Sequence, residues 1–331
     1  MSPSPLAIDF ADAELEASVR AGLDAVEAAL QLAVRSDDEF VAGAARHLVD
    51  AGGKRFRPLV CLLAAHLGDP TRAELVPAAV VVELTHLATL YHDDVMDEAS
   101  VRRGAETVNT RWGNTIAILT GDFLFSRASD VLADLGPHAV RLQARTFGRL
   151  VTGQIRETVG PRDGEDVIEH HLNVLADKTG SLIATAAVFG AHYAGAGPDV
   201  VAGVREFAEQ IGVAFQLSDD ILDIASESTE SGKTPGTDLR EGVPTLPVLY
   251  ALRSTDPAGA RLRELVSHPL VDDAEHAEAL RLLRASDAMD EARKTMRGYA
   301  DTARATLDRL PDLPVRRALE ALAEQVIART G

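Results

Sequence analysis

The chain has 331 residues and is 46% hydrophobic, enough for a sizeable core in one large domain or two smaller ones. Its net charge of −18 argues against a nucleic-acid partner held by a general basic surface, and much of the acid reads as a solvated outer face. The single cysteine, Cys61, lies in the apolar run Leu59-Val60-Cys61-Leu62-Leu63, which excludes an internal disulfide, points to a core position and accords with a cytoplasmic location.

Ala, Leu, Glu and Arg dominate and β-branched alternation is rare, so an all-α chain is predicted. Apolar residues at three- and four-residue spacing predict helices over 12–34, 38–50, 57–67, 73–96, 113–134, 137–158, 165–194, 199–225, 243–253, 273–285, 287–308 and 312–329. Turn chemistry separates them, for example at Gly52-Gly53, Gly136-Pro137, Gly160-Pro161 and Asp256-Pro257. Residues 226–242 are polar and breaker-rich and read as a loop, either a lid beside a charged cleft or a plain connector. Residues 251–331 show amphipathic spacing without evident chemistry and read as packing structure. No basic region precedes an apolar stretch at the start, and no uncharged apolar run reaches about 18 residues, so neither a secretory signal nor a spanning helix is expected. Contact with a membrane surface through an exposed apolar patch is neither required nor excluded by the sequence.

One acidic pattern occurs twice, as Asp93-Asp94-Val95-Met96-Asp97 and as Asp219-Asp220-Ile221-Leu222-Asp223. In each, the first and last Asp are four residues apart, one above the other on a helix face, where like charges repel. A single charge run is usually a solvated helix end. Two such runs, each after an apolar stretch such as Val80-Val81-Val82 or Ile211-Gly212-Val213-Ala214-Phe215, point to a cation between carboxylates. Oxygen ligands around a phosphate-bearing substrate suit magnesium rather than zinc.

Basic residues gather at bends beside these clusters. Gly52-Gly53-Lys54-Arg55-Phe56-Arg57-Pro58 places three cations before a helix whose free N–H groups favour an anion. Arg102-Arg103-Gly104, Lys178-Thr179-Gly180 and Lys233 add more. Any one of them could be an ordinary surface cation. Together they suit phosphate, Arg as a bidentate donor and Lys as a point charge.

At roughly residues 45–250 the sequence resembles the all-trans isoprenyl (polyprenyl) diphosphate synthases. The motifs occur in the family's order: Gly-Gly-Lys-Arg-Phe-Arg-Pro (52–58), His-Asp-Asp-Val-Met-Asp-Glu (92–98), Arg-Arg-Gly (102–104), Gly-Asp-Phe-Leu (121–124), Asp-Lys-Thr-Gly (177–180), Phe-Gln-Leu-Ser-Asp-Asp-Ile-Leu-Asp (215–223) and Gly-Lys-Thr-Pro-Gly-Thr-Asp-Leu (232–239). The resemblance implies a single all-α domain over 1–331, an antiparallel helix bundle around a central cavity, working as a homodimer. It implies head-to-tail condensation of an allylic diphosphate with isopentenyl diphosphate, with three Mg²⁺ ions per site. Asp93 and Asp97 would hold two ions and Asp219 a third, supported by Asp94, Asp220 and Asp223. Arg102, Lys178 and Lys233 would contact the allylic diphosphate; Lys54, Arg57, His86 and Arg103 would bind isopentenyl diphosphate; Gln216 and Thr179 would lie near the developing cation. One departure stands out: many relatives carry Lys where this chain has Val243.

These roles suit the chemistry. Loss of diphosphate separates a carbocation from a highly charged leaving group, which metal ions, Arg and Lys stabilise. An apolar wall keeps water from the cation. The residues four and five before Asp93, Thr89 and Ala88, lie one helical turn below the diphosphate site. Short-chain family members place aromatic residues there as a floor. Small residues here, followed by Thr85, Val82 and Val81, leave room along a helix rise of roughly 16 Å, so a product of C30 or longer is predicted. Phe123 or Phe125 could supply a floor instead. A shorter-chain synthase, a class I terpene cyclase and a non-catalytic subunit of a heteromeric synthase are the alternatives. The intact second cluster and the Lys54/Arg57 set argue against the last two. A di-iron bundle would need Glu-x-x-His pairs, and Glu169-His170-His171 reads as a surface or interface run instead.

Overall fold

The computed structural model describes residues 10, 12–226 and 235–330. In chain order the helices are α1 (Ala13–Ala33), α2 (Glu39–Asp50), α3 (Phe56–Ala65), α4 (Leu75–Met96), α5 (Val108–Trp112), α6 (Asn114–Leu135), α7 (Pro137–Val159), α8 (Val167–Leu175), α9 (Ser181–Tyr193), α10 (Pro198–Ala225), α11 (Thr237–Glu241), α12 (Leu246–Arg253), α13 (Ala260–Leu265), α14 (Asp273–Arg284), α15 (Asp287–Leu307) and α16 (Pro314–Ala328). A π-turn, Ala176–Gly180, joins α8 to α9. Between α4 and α5 a two-stranded antiparallel hairpin, β1 (Val101–Arg102) and β2 (Ala105–Glu106), pairs Val101 with Glu106 and Arg102 with Ala105. The all-α expectation is met.

Aspartates start several of these helices. Asp12, Asp38, Asp166 and Asp272 each accept from backbone N–H groups two or three residues on, which satisfies donors the first turn leaves unpaired. The described residues divide into two compact units. The first comprises those of Met1–Gly148, Leu182–Ala208 and Leu307–Ala321. The second comprises those of Arg149–Ser181, Glu209–Thr306 and Leu322–Gly331.

In the first unit α4 is the core helix. Leu84, Leu87, Ala88 and Tyr91 have no exposed surface. Tyr91 ties α4 to α2: its hydroxyl donates to the Ala44 carbonyl at 2.7 Å and accepts from Leu48 N at 3.2 Å. α6 packs on α4 closely enough that a Cβ at Gly121 would stand 2.3 Å from His92 Nε2 and 3.1 Å from the Ala88 carbonyl, so a side chain there would displace the His92 ring. Cys61 is fully buried, as its sequence context implies, and burial pushes its thiol up to about 12. In the second unit α8 packs on α12, and α12, α13 and α14 pack on one another, while Arg284 at the end of α14 donates to the Ile224 carbonyl of α10 at 2.7 Å.

Two sequence expectations change. The helix predicted over 165–194 is interrupted by the π-turn. Part of the loop predicted over 226–242 is helical, as α11, and residues 227–234 lie outside the described residues. The stretches Leu75–Met96 and Val167–Tyr193 are long and apolar enough to cross a membrane by length and composition, yet 67% and 83% of their apolar windows are buried in the fold.

Candidate active site

The first acidic cluster closes α4. Asp94 is buried and pairs with Arg102 of β1, while its Oδ2 has no hydrogen-bond partner among the described residues. Burial raises its pKa in spite of Arg102. Arg102 also lies 3.9 Å from the half-exposed Asp97. Asp93 is part-buried beside them.

The cations of the same unit surround His86. The bend before α3 runs through positive φ at Gly52, Gly53 and Arg55. Arg55 is consumed by structure: it pairs with Glu27 at 2.8 Å and with the buried Glu83 at 3.0 Å. Arg103, itself at φ 53, donates to the carbonyls of Leu48 and Gly52. Arg57 Nε is buried with no partner among the described residues, an unspent donor. Lys54 is exposed on the bend. Burial, then the charges of Arg57, Arg103, Arg102 and Arg55, hold His86 well below the usual imidazole range. α3 opens without a side-chain cap, so its first N–H groups face the same bend. The structure thus brings Arg57, His86, Arg102 and Arg103 together, with Lys54 on the bend that leads into α3.

The chain-length candidates differ in exposure. Ala88 is fully enclosed, whereas Thr89 is only part-buried, its hydroxyl donating to the His86 carbonyl at 2.8 Å. Phe125 meets Phe147 with ring centroids 4.5 Å apart and the rings tilted by 58°, and the His92 ring lies 5.8 Å from Phe125. Phe123 faces elsewhere, lining an open groove with Arg35, Arg46 and Arg127.

The second unit holds the second cluster. Asp220 is buried on α10. Burial, with Asp238, Asp219 and Asp223 around it, pushes its carboxyl up to about 8 against the pull of a Gln216 hydrogen bond. Asp223 accepts from the N–H groups of Thr237 and Asp238 at 3.4 and 3.3 Å. Gly236 is locked at φ 72 between Asp223 and His276, whose Nε2 donates to its carbonyl at 2.9 Å. Lys178 leaves the π-turn toward α7 and pairs with Glu157 at 2.6 Å. Thr179 leaves it toward α10, its hydroxyl 3.4 Å from Gln216 Oε1, and Gln216 Nε2 donates to Asp220 Oδ1 at 3.0 Å. Lys233 lies outside the described residues.

Magnesium suits this donor set. One cluster has a buried carboxylate oxygen, Asp94 Oδ2, with no hydrogen-bond partner among the described residues, and the other has a carboxyl, Asp220, raised by burial and by like charges; a hard, oxygen-seeking cation would relieve both.

Sequence reasoning missed several residues. His170 and His171 are not surface residues: His170 is buried against Glu165 at 3.2 Å, and His171 points at Asp220 from 3.9 Å, its pKa lowered to about 4 by burial. Arg329, in the stretch read as packing, pairs with Asp219. Arg149 and Arg156, which brace the π-turn, repeat at helical spacing on α7, a signal that was present but not specific.

Comparison with known proteins agrees with this chemistry. The sequence model of the polyprenyl synthetase family matches residues 38–283. The chain is 52% identical over 325 residues to a nonaprenyl diphosphate synthase of Mycobacterium tuberculosis, covering 98% of this chain and 97% of that one. Among solved structures it resembles a geranylgeranyl pyrophosphate synthase of Corynebacterium glutamicum complexed with calcium and isoprenyl diphosphate, with TM-score 0.88, 48% identity, and 98% and 100% of the two chains covered. It also resembles a decaprenyl diphosphate synthase of Rhodobacter capsulatus, with TM-score 0.86, 32% identity, and 96% and 99% covered. The chain belongs to the polyprenyl synthetase family of all-trans prenyltransferases.

Proposed function

We propose that this chain, as one polyprenyl synthase domain, extends an allylic diphosphate with isopentenyl diphosphate in successive head-to-tail steps to an all-trans product of C30 or longer. The observation that carries the chemistry is the pair of acidic clusters, each crowding three aspartates at the end of an apolar helix, with an arginine-ringed histidine in the first unit. Magnesium, when bound, supplies neutralising charge for the departing diphosphate; three ions per site fit the number of carboxylates.

The chain's own residues divide the work. Asp93, Asp94 and Asp97, and Asp219, Asp220 and Asp223, hold the cations. Arg102 and Lys178 grip the allylic diphosphate, exchanging their present carboxylate partners Asp94 and Glu157 for phosphate oxygens. Lys233 is assigned the same task. Arg57, with its unspent Nε donor, takes isopentenyl diphosphate together with Lys54, Arg103 and the neutral His86. Gln216 and Thr179 turn oxygen atoms toward the developing cation. The released diphosphate takes the proton that the new double bond sheds.

Chain length is the finer part of the reading. The small side chains at Ala88, Thr89, Thr85 and Val82 support a long product, as does the 52% relative named for nonaprenyl diphosphate. The structural relative named for geranylgeranyl pyrophosphate supports a shorter one. The part-exposed surface at Thr89 tips the balance to the longer. The protein is proposed to be cytoplasmic and homodimeric; on α6, Ile118 and Leu119 are 44% and 57% exposed, an apolar face suited to a second copy.

Incubation with labelled isopentenyl diphosphate and each primer from C5 to C20, with and without Mg²⁺, tests the whole reading. Mg²⁺-dependent products of C30 or more are expected. Products ending at C20 would end the long-chain reading, and no incorporation with any primer would end the enzymatic one.

A further inference from the structure

The π-turn that carries Lys178 and Thr179 is gripped from α7. Arg149, Gly153 and Arg156 recur on one face of that helix, and all three meet the turn. Arg149 Nε donates to Asp177 Oδ1 at 3.0 Å, and its Nη2 donates to Glu209 Oε1 of α10 at 2.7 Å. Arg156 Nη1 lies 3.7 Å from the other Asp177 oxygen, and its Nη2 donates to Glu165 at 3.2 Å. Between the two arginines, a Cβ at Gly153 would stand 3.0 Å from both Asp177 Cβ and Lys178 N, so α7 approaches as closely as a bare backbone permits. On the other side Gly180 abuts the Glu209 carbonyl, 3.1 Å from where its Cβ would be. Ser181 Oγ donates to the Asp177 carbonyl at 2.6 Å, satisfying an acceptor within the altered register.

A π-turn inserts one residue into an α-helix and persists where its surroundings hold it. An α-helix turns about 100° per residue, so a slip of one residue would swing every side chain of the turn by about that angle. Lys178 and Thr179 would then lose their present directions, toward α7 and toward Gln216 on α10. Asp177 is the one side chain of the turn that both arginines reach. Those arginines contact Asp177 and its flanking acids, whereas the Lys178 ammonium pairs with Glu157.

We infer that Arg149, Asp177, Arg156 and Glu209 form a positioning clamp for the allylic diphosphate site, holding the π-turn in the register that aims Lys178 and Thr179. The clamp touches no reacting atom and acts through those two residues. It rests on the proposed role of Lys178 in binding the allylic diphosphate.

The test is steady-state kinetics of Asp177→Asn, Asp177→Glu and Arg149→Lys, each alone and combined with Lys178→Ala. Allylic and isopentenyl diphosphates are varied separately, beside melting temperature and circular dichroism. Asp177→Asn and Arg149→Lys should lower kcat/KM for the allylic substrate by about 10- to 100-fold, the scale of a misplacement of about 1 Å. KM for isopentenyl diphosphate should hold, and Asp177→Glu should recover part of the loss. In the Lys178→Ala background, Asp177→Asn should cost less than about threefold more, because the group it positions is gone. Losses that multiply in the double variant, or that fall equally on both substrates, would overturn the clamp in favour of a merely structural ion pair. Should Asp177→Asn fail to fold, Arg149→Lys carries the same test with its charge intact, and unchanged kinetics there would also overturn it. Full allylic kcat/KM in Lys178→Ala alone would instead overturn the role of Lys178, and the purpose of the clamp with it.

Discussion

Arg329, directly after α16, pairs through Nη2 with the first aspartate of the second acidic cluster, Asp219, while its guanidinium carbon sits 5.0 Å from the centre of the Phe215 ring. A protein cation therefore occupies a carboxylate proposed for magnesium. The pair is part-exposed, so its contribution is discounted to about 0.5–1 kcal/mol. Arg329→Gln should lower the melting temperature of the metal-free protein by roughly 1–4 °C. With saturating Mg²⁺ and inorganic diphosphate the gap should close, because the ions take over the charge that Arg329 supplied. Calorimetric scans of both proteins in both buffers measure this. The same gap with and without Mg²⁺ would mean that Arg329 and the metal do not share Asp219.

Thr89 rather than Ala88 is the α4 residue proposed to meet the growing chain. Thr89 keeps exposed surface, whereas Ala88 is enclosed on the helix that packs against Gly121. Deeper on the same helix, Thr85 Oγ1 donates to the Val81 carbonyl at 2.8 Å and accepts from Gln143 Nε2 of α7 at 2.6 Å. Thr89→Phe should shorten the main product while leaving the melting temperature within a few degrees. Ala88→Phe should lower stability by about 1–3 kcal/mol, because an enclosed site must be overpacked. Chromatography of the dephosphorylated products, beside a denaturant titration, separates the two effects. An unaltered product distribution in Thr89→Phe would place the floor elsewhere, with Phe125 the nearest candidate.

Local chemistry made much of this legible in the sequence. The acidic clusters, the bend at Gly52-Gly53 and the helices with strong apolar periodicity depend on neighbours a few residues away, and such patterns survive in one dimension. The π-turn did not show, because Asp177-Lys178-Thr179-Gly180 contains no proline and is flanked on both sides by the helical apolar spacing of α8 and α9. Its register is held by Arg149 and Glu209, which are 28 residues before and 32 residues after Asp177. His170 and His171 misled for the same reason: two adjacent histidines after a glutamate look exposed, and only the fold brings Glu165 and Asp220 to them. Arg329 pairs across 110 residues, with no local pattern to announce it.

Gly53 is required by a neighbour as well as by its own φ of 152. A Cβ there would stand 2.7 Å from the Arg103 guanidinium carbon, so Gly53→Ala would push Arg103 off the bend. A charge-assisted hydrogen bond contributes about 1.5–3 kcal/mol, so losing one to diphosphate should raise KM for isopentenyl diphosphate by roughly 10- to 100-fold. KM for the allylic substrate should change far less. Parallel increases in both constants would count against placing Arg103 at the isopentenyl site.

His86 gives the first unit a pH dependence of definite sign. Burial and the neighbouring arginines hold it well below its unfolded value, so the folded protein keeps it neutral. Once the pH drops beneath about 6.5, the unfolded chain binds a proton at this residue that the folded chain does not. Stability contributed by the neutral imidazole is therefore full above that pH and is lost progressively as the pH falls below it. His86→Asn removes the group from both states. Denaturant titrations from about pH 8 to pH 5, without divalent ions, should show wild type losing more stability on acidification than His86→Asn. Parallel curves would mean that His86 is protonated in the folded protein, and that isopentenyl diphosphate meets an imidazolium there rather than a neutral ring.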